Sequence, residues 1–141
     1  MIQRKQSIYL LLAALLNAGV FFFDLYQYHT QVSGTDTLGK IRVNDNFVAL
    51  IIATLITLLP LITIFLFNNR KRQISLSMVS ILGIFSFIAL LLWRVNGVPP
   101  PVNGSYWIGS VLPVISLVFL IMAIMGIRSD EKLVKSVDRL R

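Results

Sequence analysis

The chain has 141 residues, of which 56% are hydrophobic and only 13% are charged, and it contains no cysteine. Soluble domains carry about a quarter charged residues, so this composition excludes an ordinary globular fold, and the missing cysteines exclude disulfides and thiolate metal sites. The net charge of +7 does not indicate nucleic acid, because the basic residues lie at the ends of apolar blocks.

Four apolar segments are long enough to span a bilayer as helices, which takes about 20 residues each. They cover residues 7–28, 47–67, 74–93 and 106–127. The first follows Arg4 and Lys5 but lacks a small-residue cleavage site at its end, so an uncleaved anchor is expected. The pattern predicts an all-α four-helix membrane bundle in up-down-up-down order, with a four-span domain at 1–128 and a tail at 129–141.

The orientation of these segments is predicted by the basic residues near their ends. Ten of them lie on one side, and only Lys40, Arg42 and Arg94 lie on the other. Because the side richer in Lys and Arg is normally cytoplasmic, both termini are predicted to be inside.

The connection between the first two segments, residues 29–46, is polar. Its residues Lys40–Asn44 alternate between polar and apolar, which is typical of a short strand, and Tyr28–Val32 would be the partner. An isolated two-stranded hairpin is only marginally stable, so the sequence leaves open whether this one forms.

Two polar residues in the first segment are the candidate functional groups, since charged groups are costly in a membrane. Asp24 lies seven residues after Asn17, on the same helical face. Together they are candidates to line a path for a proton or cation. In the structural interpretation, Asp24 pairs with Arg94 and Asn17 hydrogen-bonds a neighbouring helix. The second is favoured, because no other span offers a carboxylate.

Small residues form stripes on the third and fourth segments, and such stripes let helices approach closely. Packing within the chain is the preferred interpretation, and a dimer seam or a partner face is the alternative. The stripes comprise Ser77, Ser80, Gly83, Ser86, Gly109, Ser116 and Ala123.

Two prolines lie inside predicted spans. Pro60 and Pro113 each remove a hydrogen bond from the carbonyl four residues earlier, that of Ile56 or Gly109. Structural kinks are expected there. His29 is the only histidine, so neither a catalytic base with a visible partner nor a metal site is predicted, and no cofactor is expected.

The tail is predicted to form a short cytoplasmic amphipathic helix with basic and apolar faces. It would lie on anionic lipid headgroups or dock on a protein, and composition does not separate these two. The residues expected to make the contact are Lys132, Leu133, Lys135, Val137, Arg139, Leu140 and Arg141.

The residues at 1–13 and 130–141, with Val111-Leu112-Pro113-Val114 in the last segment, resemble the small four-helix membrane proteins of Bacteroidota grouped as domain of unknown function 4293. The resemblance covers the length of the chain. It implies a bacterial inner membrane and supplies no activity.

The preferred function is therefore non-enzymatic: an accessory or structural subunit that binds a larger membrane complex. The first alternative is an oligomeric small transporter or channel that uses Asn17 and Asp24. A second is a membrane enzyme acting on lipid, which would require Asp24 and His29 to meet in one site.

Overall fold

The structure is a computed structural model, and it describes residues 3–32, 35–67, 69–98 and 103–138. Within these residues the chain forms four helices and a small sheet. The helices are α1 (Gln3–Gly19), α2 (Phe47–Phe65), α3 (Arg70–Asn96) and α4 (Ile108–Asp138). The strands are β1 (Tyr26–Val32), β2 (Thr35–Ile41) and β3 (Asn103–Tyr106), and a short 3-10 turn covers Val43–Asp45.

Asparagine side chains set the starts of α2 and α3. Asn46 Oδ1 accepts a hydrogen bond of 3.0 Å from the backbone N–H of Ala49, and Asn69 Oδ1 accepts one of 3.3 Å from Arg72. Each cap satisfies an N–H that has no partner inside its helix. The predicted second span, 47–67, begins at the same residue as α2 and ends two residues after it. By contrast, α3 begins before the predicted third span, 74–93, and ends after it.

Of the helices described, α2, α3 and residues 108–131 of α4 are long and apolar enough to cross a membrane. The predicted first span is wrong at its end, because α1 stops at Gly19 and β1 begins at Tyr26. The segment that follows Asp24 alternates aromatic and β-branched residues with polar ones, a pattern that favours a strand over a helix.

The prediction of an all-α fold is wrong too, since three antiparallel strands form a sheet in the order β2-β1-β3. The open question about the hairpin is answered: Tyr26 pairs with Ile41 and Val32 with Thr35. The strand β2 begins before the predicted 40–44 run and includes only its first two residues, Lys40 and Ile41, while Val43 and Asn44 belong to the 3-10 turn. The third strand, β3, gives this sheet the extra pairing that an isolated hairpin lacks.

The tail is not a separate helix, because α4 continues through residue 129 to Asp138. Glu131, Lys132 and Lys135 are good helix formers, and no proline interrupts α4 after Pro113. Gln6 of α1 also donates a hydrogen bond to the buried carboxylate of Asp130, which ties this part of α4 to the bundle.

The helices form a bundle in which α1 contacts α2 and α4, and α3 contacts the same two helices. Its core contains Leu10, Ala13, Ile56, Ile84, Phe87, Leu120 and Ala123. The sheet lies at one end, here called the sheet end, where the N–H groups of Trp107 and Gly109 donate to the carbonyls of Leu25 and Asp24 over 3.0 and 3.1 Å. The opposite end, where Gln6 contacts Asp130, is called the tail end.

Candidate functional site

The amide of Asn17 lies inside the bundle, and its residue is completely buried. Its Nδ2 donates a hydrogen bond of 3.0 Å to the backbone carbonyl of Ile56 on α2. Ser116 Oγ on α4 lies 2.8 Å from Asn17 Oδ1 and 2.8 Å from the carbonyl of Pro113, so its single proton serves one or the other. The amide therefore joins three helices.

Pro60 explains why the Ile56 carbonyl is free to accept this bond. In an unbroken helix that carbonyl would bond to the N–H of the fourth residue onward, which here is a proline without an N–H. Pro60 is itself buried, so water is not at hand to replace the bond. Asn17 thus supplies the donor that the proline removes.

This geometry confirms the expectation that Asn17 hydrogen-bonds a neighbouring helix. Both ends of its amide contact protein groups, and neither the amide nor Ser116 is exposed. A residue that lines a path for ions would instead need to reach water.

The sheet end carries a charged cluster centred on Asp24, which is 7% exposed. Arg42 Nε lies 2.5 Å from its Oδ1 and Lys40 Nζ 3.3 Å from its Oδ2. Gln27 Nε2 donates a further hydrogen bond of 2.8 Å to Oδ2. The hydrogen bond from Arg42 lowers the pKa of the Asp24 carboxyl despite the opposing effect of burial, and Asp24 in turn raises the pKa of Arg42.

The predicted pair of Asp24 and Arg94 is wrong, since Asp24 forms its ion pairs with Arg42 and Lys40 instead. The hairpin causes the difference. The N–H of Leu25 bonds the carbonyl of Ile41, which brings the residue before Leu25 beside the residue after Ile41. The residues just outside the two paired strands therefore lie side by side. The register of the hairpin is the information that would have identified Arg42 as the partner of Asp24.

Arg94 lies near the end of α3 and is half-buried. Its Nη1 atom is fully buried and makes no hydrogen bond within the described part of the chain. In the sequence, the one signal that marks this group is its place at the end of the third span, at the same end as Asp24.

The small residues predicted to form packing or partner faces lie mostly inside the bundle. Ser77, Ser80, Ser116 and Ala123 are completely buried, Gly109 is buried, and Gly83 and Ser86 are progressively more exposed. A Cβ atom at Gly83 would lie 2.7 Å from Ile56 Cγ2, and one at Gly109 would lie 2.6 Å from the backbone oxygen of Asp24. At these two glycines the stripes pack against other residues of the same chain.

The tail contacts cannot be placed in the same way. Lys132, Leu133, Lys135 and Val137 belong to the helical backbone of α4, but their side chains lie outside the described residues, as do Arg139, Leu140 and Arg141 altogether. The amphipathic face stays a prediction. His29 is exposed on β1 and pairs with Leu38 and Asn103, and it is not among the groups that contact Asp24.

Residues 2–140 match the model of a protein family described as Domain of unknown function (DUF4293). The chain belongs to this family. The description of DUF4293 names no activity. No curated protein matches the chain, and no solved structure matches it. Within the described residues of this DUF4293 member, no group of three or more His, Cys, Asp or Glu side chains is placed to hold a metal ion.

Proposed function

We propose that this protein is a non-enzymatic, multi-pass protein of the bacterial inner membrane, as in Bacteroidota, that serves as an accessory or structural subunit of a larger membrane complex. The observation that carries the proposal is the closed interior of the bundle. The buried amide of Asn17 is bonded to Ile56 and Ser116, and the one carboxylate of the first segment is neutralised at the sheet end. What is left for interaction is the outer surface.

The outer surface supports a membrane position for all four helices. On α1 the large side chains of Ile8, Leu11 and Leu15 are 52%, 44% and 60% exposed. An apolar face of this kind is stable against lipid and unfavourable in water. Although α1 has only 17 residues, about 26 Å at the helical rise, helical turns continue it to Phe23, so it fits a hydrocarbon core of about 30 Å.

The contacts at the two ends of the bundle favour an up-down-up-down order with both termini on one side. The start of α1 contacts the end of α4 through Gln6 and Asp130, and the start of α3 contacts the end of α2 through Gln73 Nε2 and the carbonyl of Thr63, 3.1 Å apart. The distribution of basic residues assigns that side to the cytoplasm.

Because the chain has no cysteine, this orientation is directly testable with single introduced cysteines. Asp36→Cys at the sheet end should react with a membrane-impermeant maleimide in intact cells. Lys71→Cys at the tail end should react only after permeabilisation, and the reverse pattern would contradict the orientation.

The transporter alternative is disfavoured by the same polar contacts. A coupled carrier needs an ionisable group that changes its partners during transport. Asp24 is instead held by two cations and an amide at the sheet end, and Asn17 is neutral and bonded on both sides.

The accessory role predicts a partner that depends on the outer surface. Tagged protein should be purified in mild detergent from its own membrane at native abundance, and its bound proteins identified by mass spectrometry. A chain ending at Glu131 keeps the Gln6–Asp130 contact and should lose a stoichiometric partner if the tail binds it. A second variant, with Leu133, Val137 and Leu140 changed to Ser, keeps the basic residues of the tail and removes its apolar face. Loss of the partner from this variant would show that the tail binds through apolar contacts.

Recovery of the chain alone, as a homo-oligomer, would contradict the accessory role. Flux measurements with Asp24→Asn would then decide between a carrier and a passive structural protein. A carrier predicts loss of coupled flux in that variant.

A further inference from the structure

A groove of about 550 Å³ opens between the sheet and the end of α3. From the sheet it is lined by Tyr28, Lys40 and Ile41, and from α3 and the residues after it by Trp93, Arg94 and Val98. It lies where the last turn of α3 leaves the bundle, so it faces the boundary between the apolar helices and the polar sheet.

The charge of this groove is positive. Lys40 and Arg94 line it, and no Asp or Glu among the described residues does. Asp24 contacts Lys40 from one side at 3.3 Å but is more closely engaged by Arg42, which is not part of the lining.

Arg94 adds an independent indication of a ligand. Its Nη1 atom is buried and bonds to none of the described residues. A buried donor without an acceptor costs free energy, and more so when it is charged. Arg94 also lines the groove, so a small rotation of its guanidinium would let Nη1 donate to an anion there.

The neighbouring surface is apolar and continuous with the groove. Trp93 is 70% exposed, and an indole in this position is typical of a membrane–water interface. From there an exposed ridge runs along α3 through Leu92, Phe85 and Met78. A ligand with an anionic head and an apolar chain fits both features, whereas a small hydrophilic anion uses only the first.

We propose that this groove binds the phosphate of a phospholipid headgroup from the leaflet at the sheet end. Lys40 and Arg94 contact the phosphate, Trp93 covers the glycerol region, and an acyl chain follows the ridge on α3. The proposal requires that the bundle lies in a membrane, but it is independent of the accessory role.

A second cavity bears on the alternative for Arg94. It has a volume of about 10 Å³ and is lined by Leu91, Arg42 and Arg94 among others. That is room for about one water molecule, which would satisfy one nitrogen without any lipid. If such a water satisfies Arg94, the groove is expected to show no preference for phosphate.

The test is native mass spectrometry of the full chain released from detergent. Phosphatidylglycerol is added in one sample, and a glucosyl diacylglycerol with the same acyl chains is added in the other. Wild-type protein should retain the phospholipid and not the glycolipid. Arg94→Gln and Lys40→Gln should each weaken phospholipid retention by about tenfold, as expected for a lost hydrogen bond to a charged group. The control is Arg128→Gln, which removes an exposed arginine near the tail end and should leave retention unchanged.

Equal retention of both lipids, or equal loss in the Arg128→Gln control, would overturn the proposal in favour of unspecific annular lipid. Displacement of the phospholipid by millimolar inorganic phosphate would overturn it in favour of a free anion. If Arg94→Gln fails to fold, Lys40→Gln alone decides. A further readout is quenching of Trp93 fluorescence, in a Trp107→Phe chain, by phospholipid with brominated acyl chains. Quenching should weaken in Lys40→Gln, and equal quenching would contradict the headgroup contact.

Discussion

The middle of the bundle and its sheet end deal with polar groups in different ways. In the middle, the side chains that cross between helices are neutral, as in the contacts of Asn17 with Ile56 and Ser116. At the sheet end, Asp24, Arg42 and Lys40 are charged, and the two cations keep much of their surface exposed. The cost of burying a charge explains the difference, since only the end of the bundle leaves cations in contact with water.

The comparison also separates two tasks. The amide of Asn17 donates to the carbonyl that Pro60 leaves without a partner in α2. The ion pairs of Asp24 with Arg42 and Lys40 instead connect the hairpin to the end of α1. Substitutions in the middle should therefore reduce stability at every pH, and substitutions in the cluster should change how stability depends on pH.

The largest effect is expected from Asn17→Ala. It removes the donor to Ile56, leaves Ser116 without one acceptor and opens a cavity in a region of zero exposure. The free energy of unfolding should fall by about 2–4 kcal/mol. Equilibrium unfolding in mixed micelles measures this, and a loss below about 0.5 kcal/mol would show that the amide is not integral to the bundle.

A second large effect is expected where α4 approaches the turn after α1. The Cβ atom of Gly109→Ala would lie 2.6 Å from the backbone oxygen of Asp24, and a backbone atom is less able to move aside than a side chain. The variant should lose about 1–3 kcal/mol of stability.

The matched control is Gly97→Ala, at the exposed end of α3, where the nearest atom to a new Cβ is 3.4 Å away and φ is −82°. It should be close to neutral. Equal losses in both variants would mean that the approach of α4 to this turn is not tight.

The smallest effect is expected from Asp24→Asn, and it should depend on pH. The folded-state pKa of Asp24 is lowered, so its contribution is complete above the unfolded-state pKa near 3.8 and is lost as the pH falls through the lower folded-state value. Wild-type stability should therefore decline below about pH 4 relative to the variant. Parallel stability curves for the two proteins between pH 6 and pH 3, each measured by thermal unfolding in detergent, would contradict this assignment.

Much of the bundle follows from the sequence because apolar length decides where a chain can cross lipid. The start of α2, the short α2–α3 connection and the location of Pro60 and Pro113 inside helices all follow from the sequence. Tyr26–Val32 misled the same reasoning, because its aromatic residues extend an apolar block while their alternation is that of a strand. The break at Gly19 depends on a sheet that forms only when three separate segments meet.

The candidate site was less predictable, because its contacts join residues that are far apart in the chain. The sequence identified Asn17 as a helix-bridging amide and showed that Pro60 frees the Ile56 carbonyl, but nothing in the spacing placed the two together. The sequence predicts a pair of Asp24 and Arg94, because both lie at the same end of their spans. Only the hairpin register, with Tyr26 opposite Ile41, selects Arg42 instead.

The most direct test of the central claim is a double-mutant cycle of Asn17→Ala and Pro60→Ala. Alanine at position 60 restores the N–H that the Ile56 carbonyl lacks, so the loss caused by Asn17→Ala should be smaller in that background. The difference should be about 1 kcal/mol, since hydrogen bonds between membrane helices are worth about 0.6–2 kcal/mol. Additive losses, with no coupling between the two positions, would contradict the claim that Asn17 replaces the donor missing at Pro60.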